Sequence, residues 1–465
     1  MNTPSLAAER DAAIAWLMGR VNYERAAVVP PAEEAFKLDR IRELLRRLGD
    51  PHTALRIVHV AGTKGKGSTS AMIAAACEAA GLRTGLYTSP HLEKLEERFT
   101  VGGQPCTAAE LVALVERIRP IAEAMQCEPV GGPTFFDLTT AMALQHFADR
   151  RTDAVVLEVG LGGRLDSTNV VTPALSVITS ISLEHTALLG ATRDKIAYEK
   201  AGILKPGVPA VSGVADAEAG DVIEQISAER GCPFWRRGRD FDIETAENDW
   251  RFTRRCENGS SEVIEGVIPA LPGRAQTENA SVALAALGVL ADQGWALPID
   301  ARRLGINTGR LPARMERIAG DPLVIIDGAH NDASARALAE ALDELCRLER
   351  GGVAPREQRV LVVAISDDKD KAAIIEPLAR RFGHFIATRF IENPRAAQPE
   401  KVAETARRLV VEGTTIELAD TPQLAWDAAQ RQAADVVVFA GSLLFAAEAR
   451  RLVLAERGAP LSGPA

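Results

Sequence analysis

The first half of the chain alternates short apolar runs with longer helical stretches. The apolar runs predict strands at Ile57–Ala61, Thr84–Tyr87, Ala154–Glu158, Leu175–Ile181 and Pro209–Ser212. The stretches between them predict helices that include Ala108–Met125, Phe136–Ala148 and Arg193–Gly202. This alternation is typical of a mostly parallel β-sheet that is covered by helices.

The same rhythm returns in the last third of the chain. Buried-looking strands are predicted at Leu323–Ile326, Val360–Ala364, His384–Ala387 and Val436–Ala440, and helices such as Ala333–Leu348 separate them. An alanine-rich helix at Ala280–Ala291 comes before this region, and the segment from Gly305 to Pro312 breaks the helical pattern. We therefore predict a boundary there, with one domain over 1–308 and a smaller doubly wound domain over 309–465.

The segment from Cys232 to Ile268 differs from the rest of the first half. It places the aromatic residues Trp235, Phe241, Trp250 and Phe252 among polar residues, and Asn258-Gly259 is a turn signal. This pattern predicts a small antiparallel patch.

Composition and charge narrow the class of protein. The 465 residues include 46% hydrophobic and 25% charged residues, and the formal net charge is -9. A nucleic-acid-binding protein usually presents a basic face, so we expect no nucleic-acid partner.

No apolar run is long enough to span a membrane, and the first residues lack the pattern of a signal peptide. The six cysteines form no C-x-x-C pair, so we expect a cytoplasmic protein with reduced thiols and neither a zinc site nor a disulfide scaffold.

A glycine-rich loop between an apolar strand and a helix carries the main chemical signal. The loop residues are Gly62, Thr63, Lys64, Gly65, Lys66, Gly67, Ser68 and Thr69. Bare backbone N–H groups and a helix N-terminus suit a phosphate. Lys66 would add a point charge for the outer phosphates, and Ser68 or Thr69 a hydroxyl for Mg²⁺. We therefore predict a nucleoside triphosphate site.

The loop departs from the usual phosphate-binding pattern. Gly67 separates Lys66 from Ser68, and Val60 stands where the pattern has a glycine. A glycine-rich turn with solvated lysines is the alternative interpretation.

Polar residues that follow other predicted strands are further candidates. Glu158 ends a buried strand and precedes a glycine-rich turn, where a carboxylate suits Mg²⁺; a structural acid is the alternative. His185 could bind a metal or transfer protons, although a structural histidine is the interpretation when this residue is taken by itself. Lys200 by default is a solvated cation at a helix end, and Ser89 could supply a hydroxyl to a metal.

Four further residues flank the predicted crevice between the domains: Asn279, Arg314, Asp327 and His330. Arg314 could stabilise phosphoryl charge as the domains close, and a surface arginine is the equal alternative.

Taken together, these motifs resemble one known family. In order along the chain they are Gly62–Ser68, Thr88–Leu92, Glu158–Asp166, Glu199–Ile203 and Asp327–Asn331. The series resembles the folylpolyglutamate synthase / dihydrofolate synthase family of the Mur ligase superfamily, from about Asn22 to about Leu443. The resemblance implies an α/β protein with an N-terminal P-loop ATPase domain, which has a mostly parallel sheet, and a smaller Rossmann-like C-terminal domain.

The resemblance also implies a reaction. The γ-phosphate of ATP would pass to a carboxylate, and the amine of L-glutamate would attack the acyl phosphate. The acceptor would be dihydropteroate or a folate, with two Mg²⁺ ions as cofactors and a monomer as the working unit. Two alternatives remain: a Mur-type ligase for another carboxylate, which the short N-terminal region disfavours, and a nucleotide-binding regulator without ligase activity.

By match of motif, the resemblance assigns roles to individual residues. The loop residues 62–69 would bind ATP together with Asn279, Arg314, Asp327 and His330. The catalytic set would be Lys66, Glu158, His185 and Lys200. Metal would be bound by Ser89, Glu158, His185 and a carbamylated Lys200. The substrate would contact Phe135, Phe136, Arg164, Leu165, Asp166 and Ser167.

Three positions depart from the family pattern. Ala275 replaces a common histidine, Lys64 replaces a common asparagine in the loop, and Asp137 replaces a glutamate after two phenylalanines. The extra cation at Lys64 would either tighten ATP binding or point to solvent.

Overall fold

The computed structural model describes residues 5–24, 37–246, 249–256, 259–270, 273–350 and 354–458. The chain divides into two compact units. The first comprises Met1–Pro269 and Glu278–Gly309, and the second comprises Ala270–Thr277 and Arg310–Ala465. Among the described helices, none is both long enough and apolar enough to cross a bilayer.

The first unit is built on an eight-stranded sheet. Its strands are β1 (Ile57–Ala61), β2 (Thr84–Tyr87), β3 (Phe99–Val101), β4 (Gln104–Pro105), β5 (Ala154–Glu158), β6 (Leu175–Ile178), β7 (Ala210–Ser212) and β8 (Phe234–Arg236). The strand order is β4-β3-β2-β5-β1-β6-β7-β8. All neighbours are parallel except β3 and β4, which form an antiparallel edge. A separate antiparallel sheet holds β9 (Phe241–Ala246), β10 (Asp249–Arg255) and β11 (Ser261–Ile264).

Helices cover both faces of the large sheet. They are α1 (Leu6–Met18), α2 (Leu38–Arg47), α3 (Lys66–Ala79), α4 (Ala108–Gln126), α5 (Phe135–Asp149), α6 (Thr186–Leu189), α7 (Arg193–Ala201), α8 (Ala217–Glu229), α9 (Arg274–Asp292) and α10 (Ile299–Thr308). Strand β1 shows the two-sided burial. Val58 and Val60 pack in the core that contains α3 and α9, whereas Ile57 packs in the core that contains α4 and α5.

The second unit has a six-stranded sheet. Its strands are β12 (Glu316–Ile318), β13 (Leu323–Ile326), β14 (Arg359–Val363), β15 (His384–Ala387), β16 (Thr415–Leu418) and β17 (Val436–Ala440). The order is β12-β13-β17-β14-β15-β16, and only β12 is antiparallel to its neighbour. Its helices are α11 (Asp332–Arg350), α12 (Lys371–Ala379), α13 (Pro399–Arg407), α14 (Pro422–Gln430) and α15 (Leu443–Glu456).

The fold class predicted from the sequence is confirmed, and two local predictions are wrong. Trp235 lies in β8, which joins the parallel sheet beside β7, and only the strands after it form the antiparallel patch. Of the predicted turn, Asn258 lies outside the described residues. Gly305 lies inside α10 and does not break a helix. A Cβ atom there would lie 2.3 Å from the backbone nitrogen of Ala76, so this glycine allows α10 to pack closely on α3.

Candidate active site

The glycine-rich loop leaves β1 and enters α3 under tight steric limits. A Cβ atom at Gly62 would lie 1.9 Å from Thr179 Oγ1, and one at Gly65 would lie 2.1 Å from Asn279 Oδ1. Gly65 also has a φ of 81° and precedes the first turn of α3. Glycine is therefore required at both positions, because the loop backbone is in contact with the end of β6 and with α9.

Hydroxyl groups after β6 hold the loop in this shape. The Thr63 amide donates to the Ser180 carbonyl (2.8 Å), and the Lys64 amide donates to Ser180 Oγ (2.9 Å). The Thr179 hydroxyl donates to the Lys64 carbonyl at 2.6 Å. These residues were not among the predicted site residues, although the run of hydroxyl side chains directly after a buried strand was a usable signal.

Two lysines converge on one carbonyl oxygen of this loop. Nζ of Lys66 lies 3.1 Å from the Gly62 oxygen, and Nζ of Lys200 lies 2.9 Å from the same atom. Lys200 is buried, and this burial, reinforced by the charge of Lys66, lowers its pKa to about 7. Two amines at one loop oxygen favour an anionic ligand, because a negative charge relieves their mutual repulsion.

Lys64, the departure from the family pattern, does not project freely into solvent. Its Nζ lies 2.5 Å from a carboxylate oxygen of Glu184. Burial opposes ionisation of Glu184, but the hydrogen bond and charge of Lys64 outweigh it and lower the pKa of that carboxyl. The adjacent His185 has its pKa lowered by burial, against the charge of Glu184, so its imidazole is neutral near neutral pH. Neutral imidazole is the form that binds metals.

Glu158 and Ser89 meet at the carboxyl ends of the neighbouring strands β5 and β2. The Glu158 carboxylate is buried and accepts a hydrogen bond of 3.2 Å from the Ser89 amide. In the first turn of α3, Ser68 is half-buried, whereas the hydroxyl of Thr69 is fully buried. Ser68 is therefore the more accessible of the two hydroxyls predicted for a metal.

The two candidate phenylalanines occupy different environments. Phe135 is 1% exposed and packs in the core of the first unit. Phe136 is half-buried, and its ring lies so close to the glycine-rich turn after β5 that a Cβ atom at Gly160 would be 2.4 Å from its Cζ. Of the pair, Phe136 is therefore the better placed to contact a bound substrate.

The four other predicted substrate residues lie in the turn that follows. The buried Asp166 carboxylate accepts from the Leu161 amide (2.9 Å) and the Thr168 amide (3.0 Å), and burial raises its pKa against these hydrogen bonds. Arg164 pairs with Glu199 at 2.9 Å. The remaining two are Leu165, which is half-buried, and Ser167, whose hydroxyl donates to Asp137 at 2.7 Å. These contacts shape the turn, and contact with substrate stays a prediction.

A buried chain of hydrogen bonds, missed at the sequence level, links this turn to β1. His59 Nε2 lies 2.8 Å from Thr168 Oγ1, and the Thr168 hydroxyl in turn bonds the Asp166 carboxylate. Because that hydroxyl donates to Asp166, it accepts from His59, which fixes the proton on Nε2. Burial lowers the pKa of His59 to about 3.

This histidine gives the stability of the first unit a defined pH dependence. Below its ordinary pKa of 6.5 the unfolded chain binds a proton that the folded chain excludes until about pH 3. The free energy of unfolding therefore decreases as the pH is lowered through this window, by up to about 1.4 kcal/mol per pH unit from this group. We expect His59→Gln to lose less stability than the wild type between about pH 7 and about pH 5.5, measured by urea unfolding. Equal losses would mean that His59 is protonated in the folded protein.

In the second unit, three predicted residues lie near one another. The buried Asp327 carboxylate accepts from the amides of Met315 and Ala329, each at 2.8 Å. Burial raises the pKa of Asp327, and the positive charge of Arg314 opposes this effect. His330 Nδ1 donates to the Gly328 carbonyl at 2.8 Å.

The chain is similar over most of its length to proteins of known structure. One family model, the Mur ligase middle domain, matches residues 60–287, and another, "Mur ligase, glutamate ligase domain", matches residues 313–443. Folylpolyglutamate synthase of Lacticaseibacillus casei is 36% identical over 422 residues, which cover 89% of this chain and 94% of that protein. The structure of Mycobacterium tuberculosis folylpolyglutamate synthase complexed with ADP matches with a TM-score of 0.80 and 31% identity, over 96% of this chain and 99% of that one. Bifunctional folylpolyglutamate synthase/dihydrofolate synthase of Yersinia pestis, complexed with AMPPNP and a Mn ion, matches with a TM-score of 0.77 and 30% identity, over 98% of this chain and 100% of that one.

Proposed function

Because this chain belongs to the folylpolyglutamate synthase / dihydrofolate synthase family of Mur ligases, we propose how its residues divide the work of ATP-dependent glutamate ligation. The chain is an ATP-dependent ligase that forms a C–N bond between L-glutamate and a folate. The observation that carries the assignment of roles is the glycine-rich loop at the end of β1, with two lysine amines on its Gly62 carbonyl.

The reaction divides into two substitutions. A carboxylate oxygen of dihydropteroate or of a folate attacks the γ-phosphorus of ATP, and ADP leaves. The amine of L-glutamate then attacks the acyl carbon of the acyl phosphate, inorganic phosphate leaves, and the nitrogen loses a proton. Neither step requires a covalent bond to the protein, so its contribution is to position the reactants and to neutralise charge.

Lys66 and the loop amides bind the β- and γ-phosphates in this proposal. The amine of Lys66 already lies at the loop and is half-exposed, so it can turn toward an arriving phosphate oxygen. Asn279 lies against Gly65 and would contact the nucleotide from α9. Lys64, which is paired with Glu184, sets the position of that carboxylate beside His185.

The residues around the loop fit a divalent cation, and the Yersinia pestis enzyme was solved in complex with a Mn ion. A hydroxyl at Ser89, a carboxylate at Glu158 and a neutral imidazole at His185 are suitable donors, and a bound cation would neutralise phosphate charge. The ammonium form of Lys200 would repel a cation. With a pKa of about 7 a large share of Lys200 is the free amine, which is the form that adds CO₂. Two Mg²⁺ ions and a carbamate on Lys200 complete the proposal.

Substrate recognition is assigned to the region beside the turn after β5. Phe136 would stack on the pterin, and the turn residues 164–167 would define the pocket shape that their hydrogen bonds maintain. Arg314, Asp327 and His330 of the second unit would contact the nucleotide. The domain limits 1–308 and 309–465, the cytoplasmic location and the monomeric state stay predictions.

The test is an assay of ADP release with each substrate omitted in turn. We expect release to require ATP, L-glutamate and either dihydropteroate or a reduced folate together, and product analysis with each acceptor decides between one activity and two. ADP release without any acceptor would favour a nucleotide-binding regulator, and release with a peptidoglycan precursor instead of a pterin would favour another Mur-type ligase.

A further inference from the structure

Three side chains that the ligase reaction does not use meet at the edge of the first unit. Cys106 follows β4, Glu110 lies in the first turn of α4, and His146 lies in the last turn of α5. Each side chain offers one potential ligand atom, and these three atoms lie within 4.8 Å of one another. They are the Cys106 sulfur, a Glu110 oxygen and a His146 ring nitrogen. Among the described residues, no other three side chains of histidine, cysteine or acidic type lie so close.

The hydrogen bonds at the cluster are few and local, and the Cys106 thiol donates to the Thr107 carbonyl at 3.4 Å. Cys106 and His146 are each 4% exposed, and within the described part of the chain no hydrogen bond reaches either ring nitrogen of His146. The Glu110 carboxylate accepts from the Thr107 amide at 2.8 Å, from the Thr107 hydroxyl at 2.7 Å and from Arg150 at 2.9 Å, so about one lone-pair site remains for a further contact.

We propose that Cys106, Glu110 and His146 bind one Zn²⁺ ion. Thiolate, imidazole and carboxylate together are the donor set of Zn²⁺, whereas Mg²⁺ prefers oxygen ligands alone. Zinc bonds of about 2.0–2.3 Å to these three atoms would complete a tetrahedron with one water. The thiol proton of Cys106 is released to solvent when the zinc–sulfur bond forms, so charge and atoms balance.

The site would have a structural role. Cys106 stands at the end of the antiparallel edge formed by β3 and β4, and the other two ligands belong to different helices. A bound ion would fix this exposed sheet edge to α4 and α5. Because the ion would bind the folded chain more tightly than the unfolded chain, it would raise the free energy of unfolding. None of the three residues belongs to the nucleotide loop, so ligase activity does not depend on them.

Cobalt provides a direct test, because tetrahedral Co²⁺ bound to a thiolate gives a near-ultraviolet charge-transfer band and strong visible bands. The purified, reduced chain is stripped with a chelator and titrated with Co²⁺ in excess Mg²⁺ without nucleotide. We expect one equivalent of Co²⁺ to produce both bands, and one equivalent of Zn²⁺ to remove them and raise the thermal midpoint by several degrees. Cys106→Ser should lose the charge-transfer band, and His146→Gln should weaken the visible bands at least tenfold.

Cys127→Ser is the matched control, since Cys127 is an exposed free cysteine outside the cluster, and it should retain the spectrum. ADP release by each variant shows that it is folded. Absence of a thiolate–cobalt band in folded wild-type chain would overturn the proposal, and so would a band that survives in Cys106→Ser. In either case the three residues would serve only to cap and pack the ends of α4 and α5.

Discussion

Lys66→Ala is expected to abolish ligase turnover, with kcat at least about a thousandfold below the wild-type value, because a single charge-stabilising donor contributes about this much to phosphoryl transfer. Lys66 is half-buried at the loop and has no carboxylate partner among the described residues, and in the proposed function its amine turns to the γ-phosphate. The measurement is ADP release in the presence of L-glutamate and acceptor, at saturating ATP. The thermal midpoint of Lys66→Ala should stay within a few degrees of wild type, since among the described residues this side chain makes a hydrogen bond to the Gly62 carbonyl and to no other group.

Lys64→Ala is the matched control for that experiment. It removes a cation two residues away in the same loop, but one that is paired with Glu184. We expect a smaller loss of activity, within about tenfold, because its effect reaches the reactants only through that carboxylate. Near-normal activity in Lys66→Ala, or an equal loss in both variants, would contradict the assignment of phosphate binding to Lys66.

Lys200→Ala is expected to lower kcat by at least about a hundredfold and to respond to added carboxylic acids. If Lys200 works as a carbamate, its removal creates a small buried space beside the loop and takes away an anionic oxygen ligand. A short acid such as acetate can enter that space and supply the missing oxygens. Activity of the variant should therefore rise severalfold with acetate concentration, while the wild type does not respond.

Lys195→Ala is the control on the same helix, because Lys195 is exposed on α7 and lies outside the predicted site. It should retain full activity and show no response to acetate. Unchanged rates in Lys200→Ala would remove this lysine from the site. A large loss without rescue, together with an unmodified mass for residue 200 in the native protein, would leave Lys200 as an amine and contradict the carbamate.

Much of the fold could be predicted because its central strands are buried on both faces. Continuous apolar runs predicted β1, β2, β5, β13, β15 and β17 with the bounds that the structure has. The edge strands β4, β12 and β16 carry polar residues or are only two to four residues long, so their sequences are close to those of loops. Gly305 misled the prediction, because a glycine that permits close helix packing has the same sequence signal as one that ends a helix.

Some features of the candidate site could likewise be proposed from local sequence, and others could not. Local sequence was enough to propose the residues next to predicted strand and helix ends, which are the loop glycines, Lys66, Glu158 and Lys200. The pairing of Lys64 with Glu184 and the contact of Phe136 with Gly160 join positions far apart in the chain. Local pattern could not choose between Phe135 and Phe136, since adjacent helix residues have the same composition signal but different directions.

By itself the sequence determined the two α/β sheets, the glycine-rich loop between β1 and α3 and the ligase family, because each depends on residues that are neighbours in the chain. Only the tertiary structure decided that two lysines meet at the Gly62 carbonyl, that Asp166 is engaged in hydrogen bonds within its own turn, and that Cys106, Glu110 and His146 converge. The physical reason is that a spacing such as C-x-x-C reports a site only when the ligands lie on one local segment. Where ligands come from separate strands and helices, their distances are set by packing of the elements between them.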